Sequence, residues 1–447
     1  MMTYKLLPAQ QEFLRVPHSS SLDVALYQGG YGSGKTWSGS LLGILLCRKY
    51  PGIRGLVGAQ TLPLVRDTTL VQYLEHLENF GYIDDVHFRY YKAESKIRFN
   101  NGSEILFRHL EEANKIKSLN LGFVEIEEMS DTPESTFRML LGRLRQTGIN
   151  RYRLFGHTNP EANKGWIYKN FVENKPDNYR LIIAPSTQNI YLPDSFIESM
   201  KNAYDPDYYK INVLGEFGDY MKGLIVKGFS NKNIVDIKYL PEQDLHLTCD
   251  FNVDPMCWIL AHKTDEKVFF FDEICIENTN TQQAIQYFIS KYGDHKGRII
   301  INGDASGDNR STAGEYSNYV IIKNALYAAG FKNVDFNLRN YNPPIKNRIA
   351  AWNAKTKNVK GEINIYIDPK CKQLINNCNN LKYKEGTSIV DVPSHSQIKT
   401  DRQLKFLEHP FDAASYLVEF YWPVVVNYSN ISNNNKKNIV EEFKSHR

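Results

Sequence analysis

Through the first half of the chain, apolar runs with few polar interruptions alternate with stretches of helical periodicity. Val24–Tyr27, Gly55–Ala59, Ile105–Arg108, Phe123–Ile126 and Tyr152–Gly156 have the length and content of strands buried on both faces. Helical stretches lie between several of them, one running through Leu41–Leu46. That alternation predicts an α/β fold with a parallel-rich sheet covered on both sides. From Asn202 to Tyr239 the texture shifts to Tyr-, Gly- and Lys-rich segments such as Gly215-Glu216-Phe217-Gly218-Asp219, where an inter-domain connection is expected. A second α/β block starts near Leu245. There Leu245–Phe251 reads as a strand with Lys267–Phe271 as its neighbour, Thr281–Tyr292 as a helix, and Arg298–Asn302 as another strand. A last helix is expected from about Pro410 through Tyr421. Beyond Asn427 the chain is rich in Asn, Ser and Lys, too polar to order itself by burial, so a mobile tail is expected.

Length and composition sharpen that outline. A chain of 447 residues exceeds one ordinary core. The expected division is a first domain over 1–220, a linker over 221–240, a second domain over 241–425 and a tail over 426–447. Hydrophobic content of 42% and aromatic content of 13% suit globular folding. No apolar run approaches a membrane span, and the N-terminus lacks a basic-then-apolar leader, so no membrane association is expected. The six cysteines lack metal-type spacing and read as buried thiols of a reducing compartment. A net charge of +4 is mild and gives no ground for a strongly basic surface, but leaves room for a local basic channel.

The densest chemistry follows the first strand. Gly29-Gly30-Tyr31-Gly32-Ser33-Gly34-Lys35-Thr36 matches G-x-x-x-x-G-K-T between a strand and a helix, the context that gives the motif meaning. Its glycines let successive N–H groups curl around a phosphate, and the helix N-terminus adds positive dipole. Lys35 is expected to reach the β- and γ-phosphates of ATP and Thr36 to ligate Mg²⁺. Downstream, Phe123-Val124-Glu125-Ile126-Glu127-Glu128-Met129 places tandem acids at a strand end, where open α/β sheets bind ligands. Glu127 is the expected Mg²⁺ partner and Glu128 the residue that polarises water. Glu125, inside a buried strand, is costly unless paired, and a register two residues earlier would hand it part of the metal work. Thr158 and Asn159, in His157-Thr158-Asn159-Pro160, suit sensing of the γ-phosphate, although Asn-Pro also favours a plain turn. Gln10 suits an adenine-reading amide or an exposed helix position. Arg66, Arg143 and Arg145 are candidates for an arginine finger.

In the second block Asp250 closes a strand, Asp304 follows another, and Asp412 opens the last helix. Carboxylates gathered from separate elements can hold two Mg²⁺ or Mn²⁺ ions for attack on a phosphodiester, whereas a single Asp near a helix start is usually a cap. Asp254, Asp308 and Asp401 lie near enough in sequence to substitute as ligands.

With these motifs in this order, the chain resembles the large subunit of tailed-bacteriophage terminases from Gln10 to Asp412. The resemblance implies an additional-strand (ASCE-type) P-loop ATPase domain followed by an RNase H-like nuclease domain. It maps the ATP site onto Lys35, Thr36, Glu127 and Glu128, the coupling motif onto Thr158 and Asn159, and the nuclease metals onto Asp250, Asp304 and Asp412. Many relatives carry Arg where this chain has Tyr31, and Asp where it has Glu127. The resemblance further implies ATP-driven packaging of double-stranded DNA into a prohead, and cutting of concatemers at the start and end of packaging. It implies a homo-oligomeric ring on the portal protein, a small-subunit partner and the cytoplasm of a bacterial host. The rival expectations are a helicase or translocase with a non-catalytic RNase H-like module, and a nucleotide-switched scaffold that hydrolyses ATP negligibly.

Overall fold

The computed structural model describes residues 5–15, 22–110, 116–160, 165–218, 223–252, 254–308, 316–384 and 389–424. The expected tail lies outside them, as do parts of the expected linker. The chain divides into two compact units, Met1–Met200 with Asp207–Tyr220, and Lys201–Pro206 with Met221–Arg447.

The first unit is built on strands β1 (Leu22–Gly29), β2 (Arg54–Ala59), β3 (Phe88–Tyr91), β4 (Lys96–Phe99), β5 (Glu104–His109), β6 (Phe123–Glu127), β7 (Tyr152–Thr158) and β8 (Tyr179–Ala184). They form one sheet in the order β3-β4-β5-β2-β6-β7-β1-β8. From β5 to β8 every pairing is parallel, and the β3–β4 hairpin closes the other edge antiparallel. β7 is inserted between the glycine-loop strand β1 and the acid-bearing strand β6, the additional strand that the resemblance implied.

Because side chains alternate across a strand, each face has its own core. Ala25, Tyr27, Val57, Phe123 and Phe155 pack with Leu42 and Leu46 of the helix Lys35–Lys49 and with Tyr73 and Leu77 of Val71–Asn79. Val24, Leu26, Val124, Ile126 and Leu154 pack on the other face against Phe137, Leu140, Ile167 and Phe171. The same parity turns Glu125 and Glu127 toward the Lys35–Lys49 helix, on the face of Phe123. His157 is the register partner of Glu127 and shares that face.

The second unit holds β9 (Leu245–Asp250), β10 (Met256–Lys263), β11 (Val268–Ile276), β12 (Ile299–Gly303), β13 (Val334–Phe336) and β14 (Ile365–Ile367), in the order β13-β12-β9-β10-β11-β14. β10 runs antiparallel to both β9 and β11, whereas β12 pairs parallel with β9 and β13, and β14 pairs parallel with β11. The sequence expectation that β11 neighbours β9 is corrected: β10 lies between them. Its run Cys257–Ala261 is wholly buried, so it has none of the alternation that marks a half-exposed strand.

Leu245, Leu247 and Cys249 face a core with the helices Thr281–Tyr292 and Asn318–Ala328. His246, Thr248 and Asp250 therefore face the opposite way, where Thr248 Oγ1 donates to the Ala413 carbonyl of the helix His409–Tyr421. All six cysteines are free thiols, five of them buried. No described helix is long and apolar enough to cross a membrane.

Trp258 is fully buried in the second core, and its Nε1 has no hydrogen-bond partner among the described residues. Trp258→Ala should destabilise the second unit by about 3–5 kcal/mol, the usual range for emptying a large aromatic site. Trp258→Phe should cost less, because it also removes the unpaired donor. Chemical denaturation of the two variants checks the order.

Candidate active sites

At the first site, the ends of β6 and β7 lie beside the glycine loop that joins β1 to the helix Lys35–Lys49. Gly32 and Gly34 have φ of +72° and +80°, conformations that L side chains rarely adopt. They let the loop wind back so that the Lys35 ammonium donates to the Gly29 and Gly30 carbonyls at 3.1 Å each. Lys35 also donates to Asn159 Oδ1 at 2.8 Å. Burial pushes Lys35 below its ordinary value, against the pull of Glu128 and Glu127. The loop is braced from outside: Asn189 Nδ2 donates to the Gly32 carbonyl at 2.6 Å and Tyr31 N–H to the Asn212 carbonyl at 2.8 Å. Ser33 and Ser186 hydroxyls lie buried beside the loop without partners among the described residues.

The tandem acids adopt different postures. Glu127 is buried, with Oε1 3.4 Å from the Thr36 hydroxyl and Oε2 accepting from Thr69 Oγ1. Burial alone would raise its carboxyl, but His157, Thr69 and Lys35 outweigh it and hold Glu127 below the ordinary range. Glu128 follows the strand with φ +44°, a left-handed conformation that costs a non-glycine residue roughly 1–2 kcal/mol. Such strain clusters at functional sites. The turn brings its carboxylate to the Asn159 N–H at 3.3 Å, Asn159 Nδ2 at 3.4 Å and Thr158 Oγ1 at 3.4 Å. Burial raises its carboxyl, against Lys35.

Other expected residues fall less uniformly. Gln10 is buried, which corrects its reading as an exposed helix position. Its Oε1 accepts the Leu7 N–H at 2.9 Å, and a Cβ on Gly34 would lie 2.7 Å from its Nε2, so it sits against the loop. Tyr31 bonds the Tyr208 hydroxyl and feels the charge of Glu128. The three arginines have local partners: Arg66 donates to Ser95 Oγ at 2.8 Å, Arg143 to the Lys117 carbonyl, and Arg145 to Asn120 Oδ1 at 2.9 Å.

Glu125 has side-chain partners of its own and does not share the Thr36 hydroxyl that Glu127 meets. It is fully buried between the Tyr73 hydroxyl, which donates to Oε2 at 2.6 Å, and His157 Nε2, 3.0 Å from Oε1. Burial lowers His157, but Glu127 and Glu125 overcome that and push it up to about 10. The sequence flagged none of Thr69, Tyr73 or His157 for this role, because their partners lie far away along the chain.

The donor set suits the groups the motif implies. The N–H lining and the Lys35 ammonium present positive charge to a polyphosphate, and the Thr36 hydroxyl facing the Glu127 carboxylate offers the hard oxygens Mg²⁺ takes.

At the second site, strand parity and the helix start bring the acids to one face of the sheet. Asp250 ends β9, with Oδ2 3.1 Å from His409 Nδ1. Asp304 follows β12, its N–H donating to the Cys249 carbonyl at 3.0 Å. Its carboxylate accepts from the Ser306 N–H at 2.7 Å and Asn342 Nδ2 at 2.6 Å. Asp412, in the first turn of the last helix, accepts from Arg348 Nη1 at 2.6 Å.

Arg348 also donates to Ser415 Oγ at 2.8 Å and lies 4.3 Å over the Tyr416 ring, while its Nε is buried without a partner among the described residues. Tyr416 is raised chiefly by burial, with Arg348 opposing and the charges of Asp304, Asp412 and Asp250 adding to the rise. Asp412 is raised by burial, with Arg348 opposing and Asp250 adding to the rise. Glu408, at φ +101°, is pushed to about 7 by burial, Asp412 and Asp250. The site thus carries unbalanced negative charge and hard oxygen donors, as divalent cations require. Among the described residues, however, no group of three or more His, Cys, Asp or Glu is already disposed as a metal cage.

The reserve ligands have local duties. Asp254 pairs with Lys405 and accepts the Asn278 N–H at 3.0 Å, Asp401 accepts the Gln403 N–H at 2.9 Å, and Asp308 accepts from Ser317 Oγ at 3.4 Å. Arg348, Glu408, His409 and Asn342 were absent from the sequence expectation, since no motif surrounds them.

Residues 22–216 match the family model described as phage terminase large subunit. The chain is 30% identical over 212 residues to the PBSX phage terminase large subunit of Bacillus subtilis (strain 168), covering 42% of this chain and 48% of that protein. It thus spans about half the length of the curated relative it matches. Among solved structures, the large terminase of a thermophilic bacteriophage superimposes with a TM-score of 0.58 at 16% identity, covering 93% of this chain and 99% of that one. A crystal form of that same large terminase in complex with ATP-gamma-S matches with the same TM-score of 0.58. At that identity the likeness concerns the fold alone.

Proposed function

We propose that this chain, whose residues 22–216 match the phage terminase large-subunit family model, is such a large subunit, which hydrolyses ATP to drive double-stranded DNA into a prohead and cuts that DNA in its second unit. The observation that carries the reading is the meeting of Lys35, Thr36, Glu127, Glu128 and Asn159 at adjoining ends of parallel strands. In this reading the N–H groups from Gly29 to Thr36 cradle the β- and γ-phosphates, and Gln10 borders the base. Mg²⁺ would be held by Thr36 and Glu127 and would neutralise charge on the phosphates.

Glu128 orients the attacking water and accepts its proton. Asn159 links Lys35 to Glu128, so a γ-phosphate that draws Lys35 off Asn159 Oδ1 changes what holds Glu128; Thr158 shares that turn. In the second unit Asp250, Asp304 and Asp412 would hold Mg²⁺ or Mn²⁺, which supply an activated water and a charge clamp for phosphodiester cleavage.

The domains of this reading are an ATPase over 1–220 and a nuclease over 241–425. Its partners are the portal protein, a small subunit and further copies in a ring, working in the host cytoplasm. DNA is gripped through its phosphates, because a packaging motor must pass any sequence.

A second reading, a translocase whose second unit does not cut, draws on the Arg348 guanidinium already paired with Asp412. The full chain separates the two. ATP turnover is measured with and without duplex DNA, and plasmid integrity with Mg²⁺, Mn²⁺ or EDTA. The first reading expects DNA-stimulated turnover together with metal-dependent cutting. Turnover without cutting in either metal favours the second, and the absence of both overturns both.

A further inference from the structure

The helix that follows the glycine loop carries Gly39 and Gly43, four residues apart and so on one face. A Cβ on Gly39 would collide with Glu125 Oε1 and the His157 ring, and one on Gly43 with the Tyr73 hydroxyl. The bare helix backbone therefore rests on a continuous polar chain sealed from solvent. From Tyr73 the chain runs to Glu125 Oε2 at 2.6 Å, from Glu125 Oε1 to His157 Nε2 at 3.0 Å, and from His157 Nδ1 to Glu127 Oε1 at 3.3 Å. The last distance allows charge pairing, although Nδ1 makes no well-aligned hydrogen bond. Thr69, on a π-wound turn spanning Val65–Leu70, holds the other Glu127 oxygen.

Tyr73, Glu125, His157 and Thr69 are each 0% exposed, so none of them can touch a nucleotide from solvent. Buried carboxylates cost several kcal/mol unless paired, and packing alone would be served by apolar side chains. Isolated π turns recur at functional positions.

We infer that His157 and Thr69 are positioning residues that aim the Glu127 carboxylate at the Mg²⁺ of bound ATP, with Glu125 and Tyr73 orienting His157. The inference rests on the ATPase reading above. It also joins the helix Val71–Asn79 to the nucleotide site through the adjoining π turn.

The test uses the full chain and a fluorescent ATP analogue, titrated in EDTA and in Mg²⁺. The gain in affinity on adding Mg²⁺ is read first, and the Mg²⁺ concentration for half-maximal turnover second. Thr69→Val keeps the shape and removes the hydroxyl; His157→Gln keeps a polar side chain and removes the imidazole. Each should reduce the Mg²⁺-dependent gain by ~10-fold or more, the range for groups that orient metal ligands. Binding in EDTA and the melting temperature of Thr69→Val should stay near wild type, and Thr69→Ser should restore the Mg²⁺ response. An unchanged Mg²⁺-dependent gain in Thr69→Val overturns the inference even if His157→Gln fails to fold. Wild-type chain that binds no nucleotide overturns instead the ATPase reading on which it rests.

Discussion

Glu128→Gln should lower ATP turnover by at least ~10²-fold, the span attributed to a positioned general base, while nucleotide binding stays near wild type. The expectation follows from how this acid is held. Its backbone is in the left-handed region at φ +44°, which the chain adopts at a cost to turn the carboxylate off the strand axis. Asn159 and Thr158 then fix both carboxylate oxygens. Gln is isosteric and its carbonyl can keep the Asn159 Nδ2 contact at the expense of the one from the Asn159 N–H, so the side chain stays in place while the capacity to accept a proton is lost. Lys35→Ala should behave differently, weakening nucleotide binding itself, because the ammonium is the charge a polyphosphate meets. Turnover and analogue binding, measured side by side, distinguish the two. Near-normal turnover in Glu128→Gln would move the base role to another acid.

The first site was legible in the sequence because its parts are contiguous: a loop of glycines ending in Lys35-Thr36, and acids side by side at a strand end. Both depend on local geometry, which short motifs encode. Glu125 shows where that legibility stopped. Its cost in a buried strand could be read locally, but the partners that offset it, Tyr73 and His157, come from elements 52 and 32 residues away.

Strand β10 was missed for a related reason. With both faces covered, its apolar run carries no period, and only the pairing with β9 and β11 declares it a strand. At the second site the three aspartates were readable as element ends, but the ion pair from Arg348 to Asp412 spans 64 residues and leaves no local trace. For Gln10 the sequence left an adenine-reading amide and an exposed helix position both open, and only its burial against the glycine loop removes the second.

Asp250→Asn should reduce metal-dependent DNA cutting by at least ~10²-fold, a loss of the size seen when a group stabilising developing charge is removed, with ATP turnover unchanged. Asp250 is the acid best placed to decide the matter. Asp412 already has a cation in Arg348, and Asp304 is held by Ser306 and Asn342, whereas Asp250 is met by His409 and a 3.5 Å contact from Asn252. Asn keeps the size and the polar contacts but withdraws the charge that a divalent ion would balance. A second readout needs no cleavage: Mn²⁺ at about 100 times its dissociation constant should stabilise the wild-type chain by about 2.7 kcal/mol through linkage, and Asp250→Asn should forfeit most of that gain. Arg348 sets the sign of a further comparison. Arg348→Met removes the resident cation from Asp412, so metal-free stability should fall as a buried carboxylate loses its partner, and the Mn²⁺-induced rise in melting temperature should grow. Cutting by Asp250→Asn at the wild-type rate, or an Mn²⁺ response identical in all three proteins, would remove these aspartates from the metal site.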